Sequence, residues 1–214
     1  MVWQNGWNMF ITKLQALGKG RYEVMTDSGI VFVLYKGDLA RYDVHEGEEV
    51  TSEKLEEIYS DTLYKRAVNR TLYLLGQKDY TLHELEEKLE NGKYPESVIR
   101  AALETVQDYG YVDDERYTRR YVECYLERKS GDKIRRELMQ KGISRDMIGR
   151  VLQEVREQAG DEEGRIERRQ IRQLLEKRHF DKTADRKERD RHFAFLMRRG
   201  YSATDITAVF REWG

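Results

Sequence analysis

The feature that most constrains the fold of this chain is an internal repeat. Three segments align without gaps, at residues 94–99, 143–148 and 201–206, with offsets of 49 and 58 residues. Each starts with an apolar residue followed by Pro or Ser, which is a start signal for a helix. The apolar faces that follow are Ile99, Ala102 and Leu103; Ile148, Val151 and Leu152; and Ile206, Val209 and Phe210. Repeats of this length indicate a helical array rather than one globule.

Two further helices precede each of these segments. The nearer helix is amphipathic and ends at Gly92, Gly142 or Gly200, where we expect glycine to adopt the left-handed conformation of a helix cap. The longer helices before them are placed at about 62–77, 114–129 and 162–179. The sequence therefore predicts a mainly α fold with three tandem three-helix repeats in an elongated, curved array. Their predicted boundaries are 62–112, 113–160 and 161–214.

The N-terminal part has a different pattern. Residues 11–17, 21–25 and 30–35 are rich in β-branched and aromatic side chains and are separated by glycine-containing turns. We therefore predict a small β-rich extension over residues 1–50, with a linker or leading helix at 51–61. A sheet of about three strands is marginal alone, so we expect it to pack on the helices that follow.

The residues that usually carry chemistry are sparse and scattered. The four histidines, His45, His83, His179 and His192, have no metal-ligand spacing, and there is no glycine-rich phosphate loop. Asp113 and Asp114 stand where a helix cap and a first-turn acid are expected. Cys124 lies beside a helical stripe of Tyr117, Tyr121 and Tyr125, which we interpret as core. We expect no catalytic residue, no metal and no cofactor.

The same composition places the protein in a broad class. A single cysteine excludes an intrachain disulfide and fits a reducing compartment. No run of about 18 apolar residues occurs, and the start of the chain has no basic and apolar leader. We therefore expect a cytoplasmic protein that is a monomer, is not an enzyme and does not contact a membrane.

Charge divides the chain into two unlike halves. The 39 Lys and Arg residues nearly balance the 40 Asp and Glu residues, yet residues 1–110 carry a net charge of −6 and residues 111–214 one of +5. Arg165, Arg168, Arg169 and Arg172 form one helical stripe. The predicted partner-binding face comprises Lys133, Arg135, Arg136, Lys141, Arg165, Arg168, Arg169, Arg172, Arg186, Arg189, Arg198 and Arg199.

An alternative reading makes this basic face an ordinary solvated surface. In that reading nearby acids neutralise the arginines through pairs three or four residues apart, and the acids are Glu162, Glu163, Glu176 and Glu188. A third reading, base recognition by a helix-turn-helix, is disfavoured because the third helix of each repeat has few side chains that could read bases. The basic residues fit an acidic protein surface or a phosphate backbone better.

Three sequence runs, taken together, resemble the RecX family of bacterial regulators of the RecA recombinase. They are Leu75–Leu85, Gly110–Tyr117 with its paired aspartates, and Glu137–Ile143. The resemblance covers residues 62–160 and extends more loosely to the third repeat and the N-terminal strands. It implies a non-enzymatic modulator that binds the RecA–DNA filament along its groove and restrains filament growth, ATP hydrolysis and strand exchange.

Two alternatives remain open at the level of sequence. The chain could bind single- or double-stranded DNA directly through its basic C-terminal half, with an indirect effect on recombination. It could also be a purely structural scaffold, which composition alone does not exclude. The basic face therefore has two targets to decide between, the recombinase surface and the bound DNA strand.

Overall fold

The fold is known from a computed structural model that describes residues 8–161, 164–181 and 183–213. The chain divides into two compact units on either side of the bond between Asp113 and Asp114. The first unit contains a small sheet and the first group of three helices. The second contains six helices in two groups of three, so the predicted mainly helical fold with an N-terminal sheet is confirmed.

The sheet is antiparallel and has the strand order β3-β2-β1-β4. Its strands are β1 (Met9–Gly18), β2 (Arg21–Thr26), β3 (Val31–Tyr35) and β4 (Glu49–Val50). The first three correspond to the predicted strands. The fourth was missed because only Glu49 and Val50 pair with β1, opposite Phe10 and Met9, and two residues are too short to show alternation.

A long helix leads from the sheet into the first group of helices. The short α1 (Lys36–Arg41) was not predicted from the sequence. The next helix, α2 (Ser52–Glu57), is capped by Thr51, whose hydroxyl accepts a hydrogen bond from the Lys54 N–H at 3.3 Å. A π-helical segment (Ile58–Tyr64) connects α2 directly to α3 (Lys65–Leu75). The segment predicted as a linker or leading helix, 51–61, is therefore helical from Ser52 and continues without a break into the helix predicted from about residue 62.

The sheet and the first helices share one core. Ile11, Val24 and Phe32 from the strands belong to the same buried cluster as Ile58 and Ile99 from the helices. This confirms the expectation that the small sheet packs on the helices that follow it. Burial of the sheet's apolar face in this way compensates for its small size.

The first helix triad, which we define as α3, α4 and α5, has α4 at Leu82–Asn91 and α5 at Glu96–Asp108. Helix α4 begins with a capping box: the Thr81 hydroxyl accepts from the Glu84 N–H at 3.2 Å, and the Glu84 carboxylate accepts from the Thr81 N–H at 3.1 Å.

The expected left-handed cap at Gly92 is wrong by one position. Gly92 has φ −78°, and Lys93 adopts the left-handed conformation with φ 60°. In the repeat alignment Lys93 stands where Gly142 (φ 80°) and Gly200 (φ 86°) stand, and both of these are left-handed as expected. Gly92 is needed for a different reason, because a Cβ atom there would lie 2.9 Å from the Tyr94 ring.

The second unit consists of two helix triads. The second triad comprises α6 (Asp114–Tyr125), α7 (Gly131–Met139) and α8 (Arg145–Gln158), and the third comprises α9 (Arg165–Lys177), α10 (Arg186–Arg198) and α11 (Ala203–Trp213). The Ser144 and Ser202 hydroxyls accept from the N–H groups of Met147 and Asp205, at 3.3 and 3.0 Å. The apolar faces predicted for the last helix of each triad are buried or half-buried, as expected.

The left-handed conformation of Lys93 leads to a prediction about stability. Replacing Lys93 by Gly removes the cost of a left-handed side-chain-bearing residue and should raise the free energy of unfolding by about 0.5–1 kcal/mol. The matched change Gly142→Ala places a Cβ at the equivalent left-handed position (φ 80°) and should lower it by about 1 kcal/mol. Chemical denaturation of both variants measures the effect, and a destabilised Lys93→Gly protein would contradict the assignment.

The third triad buries a histidine in its core. His192 on α10 is 5% exposed, and its ring packs edge-on against Phe180 with centroids 5.0 Å apart. Burial lowers the pKa of His192, the nearby Arg178 and Arg191 lower it further, and Glu188, 3.9 Å away, opposes them. The imidazole is therefore held neutral in the folded protein.

A buried neutral histidine makes stability depend on pH. Below the ordinary histidine pKa of about 6.5, the unfolded chain takes up a proton that the folded chain resists, so the free energy of unfolding falls as pH falls. Above that pH both states are neutral and the contribution is constant. Denaturation at pH 7.5 and 5.5 should show a smaller loss of stability for His192→Gln than for the original protein. Equal losses in the two proteins would refute the role of His192.

Candidate interaction surface

The arginine stripe of α9 forms hydrogen bonds and ion pairs with groups outside its own helix. Arg168 Nε donates to the Asp205 carboxylate at 3.1 Å. Arg169 forms an ion pair with Glu127 and Arg172 forms one with Glu212, while Arg165 donates to the Gly160 carbonyl.

These partners are not the neighbouring acids that the solvated-surface reading named. Asp205 and Glu212 lie on α11, and Glu127 lies in the loop after α6. Of the acids named from the sequence, Glu162 and Glu163 lie outside the described residues. The α9 stripe therefore connects helices, and part of its charge is neutralised internally.

The basic residues of α7 separate into two sets. Lys141, just after the helix, places its ammonium group 5.6 Å from the centre of the Tyr117 ring, and Lys133, in the first turn of the helix, is exposed. Arg135 forms an exposed ion pair with Asp132 at 3.2 Å. Arg136 lies beside the third triad, 2.9 Å from where a Cβ atom on Gly200 would be.

Helix α10 ends in a second group of cations. Arg198 and Arg199 are exposed, and the Arg199 guanidinium lies 4.7 Å from the centre of the Phe195 ring. Arg178, at the end of α9, lies 4.2 Å from the same ring. Arg178 is not among the basic residues predicted from the sequence, because only the fold brings the end of α9 to Phe195.

We call Arg136, Arg178, Arg198 and Arg199 the basic junction patch. Within the described ranges none of these four side chains forms an ion pair with an acid. The remaining predicted residues of α10 differ. Arg186 is almost fully exposed and 4.0 Å from Asp190, and Arg189 is half-buried. Arg136 and Arg199 thus lie where the second and third triads meet, Arg178 shares the Phe195 ring with Arg199, and Arg198 is the neighbour of Arg199 in sequence.

The position of the patch is set by a buried polar junction between these triads. One Glu167 carboxylate oxygen on α9 accepts from the Gly131 N–H at 2.9 Å, at the start of α7, and the same oxygen is ion-paired with Arg156. The Ser130 hydroxyl donates to the Arg199 carbonyl at 2.7 Å. Glu167 is 8% exposed, so these bonds are shielded from water and fix the geometry.

A second set of hydrogen bonds strengthens the same junction. The Gln170 amide nitrogen donates to the Leu126 carbonyl at 2.8 Å, and its amide oxygen accepts from the Tyr201 hydroxyl at 3.1 Å. Burial, aided by Glu167, raises the pKa of Tyr201 to about 12. The phenol therefore remains a protonated donor at neutral pH.

The tyrosine stripe of α6 holds a lysine that sequence analysis did not single out. Lys129 donates to Glu137 at 2.7 Å and to the Tyr121 hydroxyl at 3.0 Å, and its ammonium lies 3.6 Å from the centre of the Tyr125 ring. Although burial opposes it, the bonds to Glu137 and Tyr121 raise the pKa of Lys129. The three rings of the stripe are half-buried and pack against the core of the second triad, so the stripe that was interpreted as core lies at its edge, with Cys124 exposed beside it.

The described residues contain no group of three or more His, Cys, Asp or Glu side chains placed to hold a metal ion. None of the helices in the described part of the chain is long and apolar enough to cross a membrane. His45 is 2.9 Å from Asp43 on the surface, and His192 belongs to the core described above. Asp113 directly precedes α6, and Asp114 is its first residue.

Fold and surface together define a protein of tandem three-helix domains with a cationic junction. Two family models match it: "RecX, second three-helix domain" over residues 113–152 and "RecX, third three-helix domain" over residues 167–210. The matched segments coincide with the second and third triads.

Full-length relatives agree. A regulatory protein RecX of Caldanaerobacter subterraneus is 28% identical over 79% of this chain and 84% of its own length, and one of Clostridium botulinum is 27% identical over 94% and 95%. A crystal structure of a regulatory protein RecX shares the fold with a TM-score of 0.60 at 21% identity, over 95% of this chain and 99% of its own. The second and third triads thus match RecX domain models, and the chain is similar over most of its length to regulatory proteins of the RecX family.

The junction makes a prediction with an internal control. A Cβ atom on Gly131 would lie 2.7 Å from Arg156 and 2.9 Å from Glu167, so Gly131→Ala should lower the free energy of unfolding by about 1–3 kcal/mol. Gly149, inside α8, has open space around it, so Gly149→Ala should raise stability by about 0.5–1 kcal/mol. Chemical denaturation compares the two. Equal stability of the two variants would contradict the prediction, because the junction would then tolerate a Cβ atom between Gly131 and its partners.

Proposed function

We propose that this chain is a non-enzymatic regulator that binds the RecA–DNA filament and restrains its growth, ATP hydrolysis and strand exchange. The matches to RecX domains and relatives support a regulatory role, and the RecA filament is the partner that the family resemblance implies. The proposal assigns no catalytic residue, metal or cofactor. The protein acts by occupying a surface on its partner.

The observation that carries the proposal is the basic junction patch. Its four guanidinium groups come from two triads, lack acidic partners among the described residues, and are held in place by the Glu167 and Gln170 hydrogen bonds. Arginine is well suited to bind carboxylates and phosphates through paired hydrogen bonds. A fixed group of arginines therefore fits an acidic protein surface or a phosphate backbone, both of which a protein–DNA filament offers.

The α9 stripe has a second role in the proposal. Its pairs with Glu127 and Glu212 are about half exposed, and exposed ion pairs contribute only about 0.2–1 kcal/mol each. Acidic groups of a filament that bind these arginines more strongly can replace Glu127 and Glu212 at a low cost in free energy. In the free protein Arg168 and Arg172 thus connect helices of the third triad, and Arg165 and Arg169 reach residues of the second repeat. In the complex these four arginines add to binding.

Charge reversal in the patch tests the proposal without disturbing the α9 ion pairs. The double variant Arg198→Glu and Arg199→Glu should weaken co-sedimentation with preformed RecA filaments at least about tenfold, which corresponds to about 1.4 kcal/mol. It should also relieve the inhibition of DNA-dependent ATP hydrolysis that the original protein produces. The matched control, Lys13→Glu with Lys36→Glu, makes the same change in net charge at two exposed positions of the first unit.

Three outcomes decide the matter. Loss of binding in the patch variant alone supports the proposal, and circular dichroism checks that both variants are folded. Equal binding by all three proteins removes the patch from the interface. Failure of the original protein to bind filaments or to slow ATP hydrolysis rejects the RecA-filament function itself.

Direct DNA binding is a second candidate, favoured by the net charge of +5 on residues 111–214. It requires a steep fall in affinity for bare DNA as salt rises, because each phosphate contact releases counterions. Fluorescence anisotropy with a labelled oligonucleotide at several salt concentrations measures that slope. Binding to bare DNA as tight as to the filament would favour this candidate.

A further inference from the structure

A shallow cavity opens on the surface of the first unit, away in sequence from the basic residues discussed above. It has a volume of about 410 Å³ and is lined by Tyr35, Arg66, Asn69 and Tyr94. Three parts of the fold contribute: the end of β3, the first turns of α3, and the loop between α4 and α5. The cavity is large enough for one side chain of a partner.

The Arg66 guanidinium is fixed within this cavity. Two of its N–H groups donate to the two Asp38 carboxylate oxygens, at 2.6 and 2.9 Å, and its centre lies 4.5 Å from the centre of the Tyr35 ring. Burial opposes ionisation of Asp38, but the bonds from Arg66 and from the Tyr35 N–H keep its pKa below the usual value. Since a guanidinium has five N–H groups, three remain for a ligand.

The other three lining side chains have unused hydrogen-bonding groups. The Tyr35 and Tyr94 hydroxyls and the Asn69 amide form no hydrogen bond with any described residue. Burial raises the pKa of Tyr94, so its hydroxyl remains a donor at neutral pH. Together with Arg66, these groups offer a ligand several donors in one concave site.

Several of the charged groups around the cavity are already paired. Arg66 is neutralised by Asp38, and Lys93, next to Tyr94, pairs with Glu23 at 3.6 Å. Arg70, one turn after Arg66 on α3, acts electrostatically on Tyr94 and has no acidic partner among the described residues. A carboxylate ligand matches the unpaired charge of Arg70, whereas the ionised Asp38 beside Arg66 repels a phosphate dianion more strongly than a single carboxylate.

We propose that the cavity lined by Tyr35, Arg66, Asn69 and Tyr94 binds the carboxylate of an acidic side chain from a protein partner. Tyrosine and arginine are the residue types that dominate protein–protein hot spots, and asparagine is a frequent polar contact in binding loops. A stacked nucleic-acid base fits less well, because Arg66 lies over the Tyr35 ring and the first half of the chain is net negative. The site is independent of the basic junction patch and of the identity of the filament.

Nuclear magnetic resonance on the full chain tests the proposal directly. The probe is N-acetyl-aspartate methylamide, which carries one side-chain carboxylate, and its neutral isostere is N-acetyl-asparagine methylamide. The aspartate probe should shift the Asn69 side-chain amide and Arg66 Nε–H signals saturably, in the millimolar range expected for such a small ligand. The asparagine compound should bind at least about tenfold more weakly.

Variants locate the site. Asn69→Asp places a second carboxylate in the cavity and should weaken the aspartate probe at least about tenfold, while Gln107→Glu makes the same kind of change at an exposed position of α5 and should not. Arg70→Gln should weaken binding several-fold by removing the unpaired charge. The dispersion of the backbone signals verifies that each variant is folded.

Four results would overturn the proposal: no saturable shift in the original protein, equal binding of the neutral isostere, tighter binding of inorganic phosphate or of a short oligothymidylate, or equal losses in Asn69→Asp and Gln107→Glu. None of them bears on filament binding by the basic junction patch. Conversely, if the protein does not bind RecA filaments but does bind the aspartate probe, the filament function is rejected and the carboxylate site is supported.

Discussion

One buried carboxylate organises the second unit. Glu167 reaches from α9 to the N–H of Gly131 at the start of α7 and to Arg156 on α8, so a single acid connects three helices of two triads. Gly131 has no room for a side chain beside it. Removing one partner from such a buried pair is costly, because the other charge is left without compensation. The angle between the second and third triads, and with it the spacing of Arg136 and Arg199, follows from this contact.

Local signals in the sequence carried most of the helical fold. Apolar spacing placed α5, α8 and α11, and the serine caps at Ser144 and Ser202 marked two of their starts correctly. Two elements were not predicted because they are too short to show a periodic pattern: α1 has six residues and β4 has two. The cap after α4 was misplaced because glycine is the usual left-handed residue, whereas here Lys93 takes that conformation and Gly92 makes room for Tyr94.

The candidate surface was only partly visible in the sequence. The arginine stripe of α9 can be read from its spacing, but its partners Asp205 and Glu212 lie 37 and 40 residues further along the chain. No local pattern connects such positions, so the sequence could not say which cations are neutralised. Arg178 joins Arg199 only through the Phe195 ring. For the same reason the Tyr35 cavity, built from residues up to 59 positions apart, has no sequence signature.

The unbroken helix that runs from Ser52 through the π-helical segment to Leu75 has a consequence for how this protein can vary. Because this helix carries side chains into a core that the strands and the first triad share, we expect the strands and these helices to unfold together as one cooperative unit. Removing the strands would expose the apolar side chains of the helices that now pack against them. A relative without the strands would need polar residues on the face of its first triad that the strands cover here.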